Sequence, residues 1–348
     1  MKKNSKEFAT IRQAEQQCKK KLKAGIFEWL YSGSEDNLTS KKNISDLDKI
    51  KIIPRVLRKI DNNSISVSFL GKKLSYPMVL SPMGHQAQFH KNAEIEMAAG
   101  IKESNTIGFF STQSRTSFDE ISIKSKNTNL IWQIFPFGDK NWILSEIRRA
   151  EKFKSLAISF CFDGLTRSHR YDDRETYYDA RKVGYTKFFG APNQDFAKTY
   201  DWDFIRWVRS KTNLEIIPKG LISIEDIRLA MKYECKYIWV SNHGGRMFNS
   251  NISAVDTLLK IKKNIKKPPY IIVDGGVRRG SDIIKYLCLG ANIVGIGRPA
   301  IYGLSLNGKK GVKKIFNILS SELETCMING GFKNLEDMKF SRIDCENL

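Results

Sequence analysis

The sequence predicts an α/β protein with a (β/α)8 barrel fold, and two patterns in the chain support this class. Eight short apolar, β-branched or aromatic runs occur along it, and most are separated by segments with helical periodicity. The runs are Met78–Ser81, Ile107–Ser111, Leu130–Phe135, Leu156–Phe162, Leu214–Pro218, Tyr237–Val240, Tyr270–Val273 and Asn292–Ile296. Strands that alternate with helices form parallel sheets, and eight such units favour a closed barrel. An open doubly wound sheet is the alternative, but no GxGxxG motif follows the first run.

The region before the first run, residues 1–75, is predicted to be an N-terminal helical extension packed on the barrel. A helix is expected from Ser5 to Leu30, followed by the loop SGSEDNLT and a hairpin within ISVSFLGKKLSY. No low-complexity linker divides the 348 residues, so residues 1–348 are expected to form one domain.

Helix starts can be read in the second half of the predicted barrel. Ser223 opens SIEDIRLAMKYE and Ser281 opens SDIIKYLCLGA, and serine is a typical residue at the start of a helix. The longest stretch between two strands runs from Asp163 to Lys211, far above the usual length of a loop. Residues 164–200 of this stretch are predicted to form a mobile active-site lid.

The chain is strongly basic, with a net charge of +21 and a pI of about 9.6. Such a balance suits an anionic partner, for example nucleic acid, acidic lipid or a carboxylate substrate. The lysines are scattered through runs such as KKKLK and GKKGVKK, and these runs contain no interleaved aromatic residues. No nucleic-acid-binding module is recognisable, so we expect solvated lysine-rich faces and no specific nucleic-acid partner.

The spacing of the cysteines and the hydropathy of the chain indicate the cellular compartment of the protein. The six cysteines form no CxxC pair and no metal-ligand spacing, so reduced thiols and no bound metal are expected. The N-terminal residues lack the apolar core of a secretory signal, and no apolar run approaches the ~20 residues of a membrane span. These features predict a cytoplasmic protein.

Polar residues follow almost every predicted strand. In a (β/α)8 barrel the carboxyl ends of the strands meet on one face, and active sites lie there. The residues at these ends are Ser81–Gly84, Ser111–Gln113, Gln133, Cys161 with Asp163, Lys219–Gly220, Ser241–His243, Asp274–Gly276 and Gly297–Arg298. A barrel without a ligand has no need for Lys, His, Asp and Arg on one rim, so the set predicts a ligand site.

The last two units carry glycines and arginines between strand and helix, in DGGVRRGSD and GIGRPA. Glycine allows backbone N–H groups to approach an anion, helix N-termini favour negative charge, and arginine binds phosphate oxygens in a planar fork. Because barrels often bind phosphate after strands seven and eight, a phosphorylated cofactor or substrate is predicted at these turns.

Four motifs in this order resemble those of the FMN-dependent 2-hydroxy acid oxidases and dehydrogenases. They are a Lys-Gly pair after the fifth strand, SNHGGR, VDGGVRRGSD and GIGRP, and the similarity extends over nearly the whole chain. This family includes glycolate oxidase, lactate oxidase, lactate monooxygenase and mandelate dehydrogenase. The resemblance implies bound FMN, oxidation of an (S)-2-hydroxy acid to the 2-oxo acid, and oxygen or another electron acceptor. It also implies a homo-oligomer, a tetramer in the family.

The resemblance assigns a role to individual residues of this chain. His243 matches the family's base and Asp163 the carboxylate beside it, while Arg246 and Arg170 match the arginines that bind the substrate carboxylate. Lys219 matches the lysine that stabilises negative charge on the reduced flavin. The other residues that match flavin or phosphate contacts are Met83, Ser111, Gln133, Cys161, Ser241, Asp274, Gly276, Arg278, Gly297 and Arg298.

The sequence departs from the family at three positions that face the substrate. Trp29 and Phe135 stand where the family has tyrosines, and Gly84 stands where small-acid oxidases have alanine and leaves room above the flavin. Each lost hydrogen bond to a charged group costs about 1.5–3 kcal/mol, which weakens the binding of small acids. Sequence drift in a still active oxidase is one explanation of these departures. A substrate larger or more apolar than glycolate is another.

Other functions fit parts of the same pattern. A monooxygenase, or a relative that oxidises amines or peptides, would use the same base and flavin. A flavin-binding protein without hydroxy-acid turnover is a further alternative, and the net charge of +21 leaves open a protein that binds polyanions. The retained His243, Arg246, Asp163 and Arg170 favour an active hydroxy-acid oxidase or dehydrogenase.

Overall fold

Eight parallel strands close into a barrel in a computed structural model that describes residues 8–60, 64–166, 168–178, 194–346 and 348. Numbered by their order in the barrel, the strands are β1 Met78–Leu80, β2 Gly108–Ser111, β3 Leu130–Ile134, β4 Ile158–Cys161, β5 Ile216–Leu221, β6 Tyr237–Val240, β7 Tyr270–Asp274 and β8 Ile293–Ile296. Each pairs with the next, and β8 pairs with β1 through Gly295 and Val79. The closed barrel confirms the predicted fold class and rules out the open sheet.

A helix follows each strand, which completes eight βα units. These helices are α1 Ala93–Glu103, α2 Phe118–Ser125, α3 Lys140–Lys152, α4 Asp203–Arg209, α5 Ile224–Lys232, α6 Ala254–Asn264, α7 Gly280–Cys288 and α8 Arg298–Gly330. The predicted Ser223 cap is confirmed, because its side chain accepts from the backbone N–H of Asp226. The α7 helix begins at Gly280, one residue before the predicted Ser281. The α8 helix is broken at Asn307 and Gly308.

The barrel interior is apolar and is closed at one end by a hairpin. Its side chains come from every strand and are Val79, Phe109, Ile131, Ala157, Ile217, Trp239, Ile272 and Ile293. The predicted hairpin, Val67–Phe69 with Lys72–Leu74, adds Phe69 to this cluster. The Phe69 ring lies 5.4 Å from that of Tyr270 and 5.7 Å from that of Tyr237, at the start of β7 and β6. The hairpin therefore covers the end where strands begin and leaves the opposite end for a site.

The N-terminal region differs from the sequence prediction, because its first helix begins at Ile11 and not at Ser5, and because the helix Leu38–Lys49 was not predicted. Instead of one helix to Leu30, it contains Ile11–Lys21 and Ala24–Tyr31, separated because Leu22 has an extended backbone conformation. A third helix spans Leu38–Lys49, and the short strand Lys51–Ile52 pairs with Ile343–Asp344 near the C-terminus. The break turns the second helix toward the barrel, and this turn brings its last residues to the site.

The predicted lid, residues 164–200, is covered only in part, because residues 167 and 179–193 lie outside the described residues. Within the described part are the helix Tyr171–Glu175 and the 3-10 helix Gln194–Thr199. Shorter 3-10 turns occur at Gln86–Gln88, His243–Gly245, Leu335–Asp337 and Phe340–Arg342. All six cysteines are free thiols. Among the described helices, none combines the length and the apolar character needed to cross a membrane.

Candidate active site

A cleft of about 1470 Å³, including its open mouth, lies at the end of the barrel where the strands finish. Most of the residues predicted for the site line this cleft, from Trp29 near the N-terminus to Arg298 in the last unit. The exceptions are Asp163, Cys161 and Ser241, which lie directly behind the lining and contact residues within it. The cleft therefore brings together side chains from all parts of the chain.

His243 is paired with Asp163 at one side of the cleft. The distance between His243 Nδ1 and Asp163 Oδ1 is 2.9 Å, and Cys161 Sγ donates to the same carboxylate oxygen over 3.0 Å. The ligand atoms of these three residues lie within 4.8 Å of one another, near enough to hold a metal ion as well. The pairing fixes the imidazole orientation and directs its second nitrogen away from Asp163.

The charge of Asp163 is stabilised by its neighbours. Burial alone would raise its pKa, but the attraction of His243 and Lys219 outweighs burial and lowers the pKa to about 2. A glycine in β5 leaves room for the Asp163 side chain. Gly220 has a φ of +103°, and a Cβ there would lie 2.6 Å from the Asp163 side chain. Asp163 is consequently an anion at every pH at which the protein is expected to work.

The SNHGGR turn, residues 241–246, has an unusual backbone. His243, Gly244 and Gly245 have consecutive positive φ values of 57°, 64° and 76°. Glycine adopts such angles readily, whereas the left-handed conformation of His243 costs about 1–2 kcal/mol. Surrounding contacts hold the turn, including hydrogen bonds from Ser34 N to Gly245 O and from Gly245 N to the Asn242 side chain. The turn presents the imidazole to the cleft.

A buried polar network lies across the floor of the cleft. Lys219 Nζ donates to Ser241 Oγ over 2.7 Å and lies 3.5 Å from Asp274 Oδ2. Ser241 donates in turn to Asp274, and Ser81 donates to its other oxygen. Burial would lower the pKa of Lys219, but Asp274 and Asp163 raise it, so the lysine is a buried cation. This cation can stabilise negative charge that develops in the cleft.

Two arginines flank one aromatic ring at the cleft wall. The guanidinium carbons of Arg246 and Arg170 lie 4.8 Å and 5.4 Å from the centre of the Trp29 ring. Arg246 Nη1 also donates to the Trp29 carbonyl over 2.8 Å. The indole ring attracts both cations and holds each of them at the cleft wall.

The two glycine-rich turns form the far end of the cleft. Gly276 has a φ of +77°, and a Cβ there would lie 2.3 Å from the Asn43 carbonyl oxygen, so only glycine fits. Arg278 lines the cleft beside it, and Gly297 precedes the first turn of α8. Arg298 lines the cleft too, but all three of its side-chain nitrogens donate to backbone carbonyls.

The remaining predicted residues lie between these two ends. Ser111 and Gln133 are buried at the ends of β2 and β3, and Met83 lies near Gly297. Gly84 has a packing reason to be glycine, because a Cβ would lie 2.9 Å from Gln113. Gln133 Nε2 is buried and has no hydrogen-bond partner among the described residues.

These features fit FMN. The unsatisfied amide of Gln133 and the buried cation of Lys219 suit the polar edge of an isoalloxazine ring. At the other end, Arg278 and the backbone N–H groups at the start of α8 suit a phosphate group. Asp274, between them, offers a carboxylate to a hydroxylated linker.

Three residues of this region were not predicted from the sequence. His85 contacts the Trp29 ring edge-on at 5.0 Å, and Phe137 packs on Phe135 at 5.1 Å. Asn43 exchanges two side-chain hydrogen bonds with Asn242, of 2.9 Å and 2.8 Å. His85 and Phe137 lie one or two residues from predicted positions and were within reach of the motifs. Asn43 lies inside an N-terminal helix, and no local pattern marks it.

Comparisons with known proteins show the family of this chain. The family model for FMN-dependent dehydrogenases matches residues 18–345. A 2-hydroxyacid oxidase of Dictyostelium discoideum is 32% identical over 98% of this chain and 91% of its own length. An L-lactate oxidase of Nostoc is 30% identical over 94% of this chain and 95% of its own.

Solved structures give the same result. A crystal structure of mandelate oxidase with (S)-2-phenylpropionate is 27% identical, with a TM-score of 0.88 over 97% of this chain and 98% of that one. A mandelate oxidase structure with benzoyl-formic acid has a TM-score of 0.87 at 25% identity, with the same coverage. The chain therefore belongs to the FMN-dependent 2-hydroxy acid oxidase and dehydrogenase family and is an FMN-dependent oxidoreductase that acts on CH–OH groups.

Proposed function

We propose that this protein oxidises an (S)-2-hydroxy acid, larger or more apolar than glycolate, to the corresponding 2-oxo acid. The observation that carries the proposal is the His243–Asp163 pair, 2.9 Å apart, in a cleft that also contains two arginines and a buried lysine. A base, a cationic binding site and a cation for the cofactor are the groups that this oxidation requires.

His243 removes a proton from the substrate in this proposal. The Asp163 carboxylate accepts a hydrogen bond from Nδ1, so Nε2 is the nitrogen that is available to accept a proton. The imidazolium that results is stabilised by the negative charge of Asp163, which stays ionised because its pKa is about 2. Asp163 acts through His243 and does not itself contact the substrate.

Arg246 and Arg170 bind the substrate carboxylate. Both line the cleft, and both are held against the Trp29 ring, so their guanidinium groups are ordered before substrate arrives. An ordered pair of cations costs less entropy on binding and orients the C–H and O–H groups of the substrate toward His243.

FMN supplies the electron acceptor for this oxidation when it is bound. Lys219, Ser111 and Gln133 would hold its ring system, and Lys219 would stabilise the negative charge of the reduced form. Gly276, Arg278 and Gly297 would hold its phosphate, together with the backbone at the start of α8. Met83, Ser241, Asp274 and Cys161 complete the surroundings.

The aromatic residues around the cleft favour a large or apolar substituent on the substrate. Trp29, Phe135 and Phe137 all line the cleft, and the Phe135 ring lies 6.2 Å from the imidazole of His243. The replacement of two hydroxyl-bearing side chains by Trp29 and Phe135 exchanges hydrogen bonds for apolar surface. Solved mandelate oxidase structures with phenyl-containing acids provide a precedent for such substituents in a similar fold.

Several further features of the protein stay predictions. The electron acceptor and the assembly are predicted by the family resemblance, and the compartment, the extension and the lid are predicted by the sequence pattern. Oxygen or another carrier is the final electron acceptor, the protein assembles as a homo-oligomer, and it acts in the cytoplasm. Residues 1–75 form an extension of a single catalytic domain, and residues 164–200 form a lid over the substrate.

Anaerobic reduction of the FMN-bound protein tests the proposal. We expect loss of flavin absorbance with (S)-mandelate or (S)-2-hydroxy-3-phenylpropionate, faster than with (S)-lactate or glycolate. In Phe135→Ala this preference should fall, because the variant loses apolar surface worth about 1–3 kcal/mol. Phe248→Ala, at an exposed position outside the cleft lining, serves as the control. Reduction by amines alone would overturn the substrate class, and faster reduction by glycolate would overturn the size preference.

A further inference from the structure

We propose that the Arg298 side chain is a positioning residue that holds the SNHGGR turn, and with it His243 and Arg246, against the end of helix Ala24–Tyr31. This role is distinct from the phosphate contact that the sequence predicts for Arg298. The expected effect on the rate of flavin reduction rests on the proposed function. The structural role of Arg298 can be tested without it.

The Arg298 guanidinium joins three segments that are far apart in sequence. Its Nε donates to Leu30 O over 3.0 Å, and its Nη2 donates to Ser32 O over 3.2 Å. Its Nη1 donates to Gly244 O over 3.1 Å, in the middle of the SNHGGR turn. One planar group at the start of α8 therefore ties the N-terminal segment to the turn.

The partners of Arg298 explain how a buried cation is tolerated there. Burial lowers its pKa to about 10, so the fold disfavours its charge. The Leu30 and Ser32 carbonyls lie at the C-terminal end of helix Ala24–Tyr31, where the helix dipole places partial negative charge. Arg246 Nη1 donates to the same two carbonyls over 3.3 Å and 3.0 Å. The helix end is thus a common anchor for both arginines.

The SNHGGR turn needs such an anchor because its backbone is strained. A left-handed conformation at His243 persists only where surrounding contacts over-determine it. Arg298 holds the carbonyl of Gly244, and Ser34 N holds the carbonyl of Gly245 over 2.8 Å. Both donors lie outside the turn. Ser34 lies two residues after Ser32, whose carbonyl Arg298 also binds.

The phosphate of FMN has other partners in this arrangement. Arg278 lines the same end of the cleft, and the N-terminal N–H groups of α8 belong to the backbone, so they survive a change of the Arg298 side chain. A substitution of Arg298 is therefore expected to disturb His243 and Arg246 more than it disturbs FMN binding.

The test compares Arg298→Met and Arg298→Lys with the wild type and with Arg342→Met. Arg342 is a matched control, since it is also a buried arginine that donates to backbone carbonyls, those of Ile53 and Gly330, and it lies outside the cleft lining. We expect FMN dissociation constants within about threefold of wild type in all variants, measured by flavin fluorescence.

With saturating FMN, the rate constant of flavin reduction should fall about 10- to 100-fold in Arg298→Met, because small displacements of catalytic groups have effects of this size. Arg298→Lys should recover part of the loss, since an ammonium group reaches one or two of the carbonyls. Arg342→Met should lower the melting temperature but leave the reduction rate unchanged.

Amide hydrogen exchange of residues 241–246 provides a readout that does not depend on turnover. Exchange should accelerate in Arg298→Met and not in Arg342→Met. A tenfold or larger rise in the FMN dissociation constant, with normal reduction once FMN is saturating, would assign Arg298 to the phosphate and overturn the proposal. Unchanged exchange would overturn it as well. If no hydroxy acid reduces the wild type, the proposed function fails, whereas the exchange and FMN measurements still decide the role of Arg298.

Discussion

Asp163 connects two functional groups, an imidazole and a thiol, through one carboxylate oxygen. Its Oδ1 is shared by His243 and Cys161, and Oδ2 is buried with no hydrogen-bond partner among the described residues. The Cys161 thiol is itself neutral, because burial raises its pKa well above the ordinary value. Cys161 therefore donates to Asp163 as a thiol.

Asp163→Asn tests this carboxylate through catalysis and stability. The rate constant of flavin reduction is expected to fall by about 10²-fold, since Asn cannot stabilise the imidazolium form of His243. Stopped-flow reduction with saturating substrate measures the rate. A variant that reduces flavin as fast as wild type would show that His243 needs no carboxylate partner.

The effect of Asp163→Asn on the free energy of unfolding should depend on pH, in the direction that the lowered pKa of Asp163 sets. A pKa of about 2, below the ordinary value of 3.8, means that the fold favours the ionised carboxylate, by about 2 kcal/mol. This contribution is complete above pH ~4 and disappears as the pH falls toward 2. In urea unfolding, the stability difference between wild type and Asp163→Asn should narrow from pH 5 to pH 3. A constant difference would contradict the lowered pKa.

Trp29 shows how one substitution changes two properties. Its ring orders Arg246 and Arg170, and its edge contacts His85 within the cleft wall. The sequence comparison identifies only a lost hydroxyl group at this position. In the structure, the indole also holds both guanidinium groups at the cleft wall through cation–π contacts, which a hydroxyl group cannot make.

Among the larger elements, the helix Leu38–Lys49 contributes directly to the site. Asn43 on this helix exchanges two hydrogen bonds with Asn242, which begins the bend of the SNHGGR turn. The Asn43 carbonyl also lies where a Cβ of Gly276 would be. One helix of the N-terminal region therefore contacts both the SNHGGR turn and the glycine-rich turn at Gly276.

Asn43→Ala should destabilise the protein by about 1–3 kcal/mol, because the buried Asn242 amide loses two of its hydrogen bonds and keeps only those with Ile252 O and Gly245 N. The rate of flavin reduction should fall as well, since Asn242 also accepts from Gly245 N within the turn. Urea unfolding and stopped-flow reduction measure the two effects. Asn264→Ala, at an exposed position on α6, is the control and should change neither. Normal reduction in Asn43→Ala would show that the turn does not depend on this helix.

The whole molecule is organised around a cleft whose walls come from both ends of the chain. Hairpin residues close one end of the barrel, and segments from Trp29 to Arg298 surround the other. Basic residues are numerous, but several form ion pairs on the surface, such as Lys124 with Glu120 and Arg149 with Asp119. The 37 acidic residues are already counted in the net charge of +21, so these ion pairs leave that excess of basic residues unchanged.

Because the residues that would hold FMN come from many separate segments, its binding should stabilise the complete fold. At FMN concentrations 1,000-fold above the dissociation constant, the gain is about 4 kcal/mol. We expect one unfolding transition in calorimetry, with a melting temperature that rises with FMN concentration. Riboflavin, which lacks the phosphate, is the control and should give a smaller shift. An equal shift with riboflavin would show that the predicted phosphate site contributes little.

The sequence by itself determined the barrel and the set of residues on its rim. Apolar periodicity identifies strands, and the topology of a closed parallel barrel then places all their carboxyl ends on one face, so His243, Lys219 and Asp274 meet without any knowledge of side-chain packing. Local chemistry likewise predicts that the glycine-rich turns hold a phosphate group.

Only the tertiary structure decided which side chains contact one another within that rim. The hydrogen bond from Arg298 to Leu30 spans 268 positions, and the bond between Asn43 and Asn242 spans 199. The helix break at Leu22 and Lys23 was not visible in the helical period, yet it brings Trp29 to the arginines. Such contacts depend on how distant segments pack, and no local pattern of residues encodes their distances.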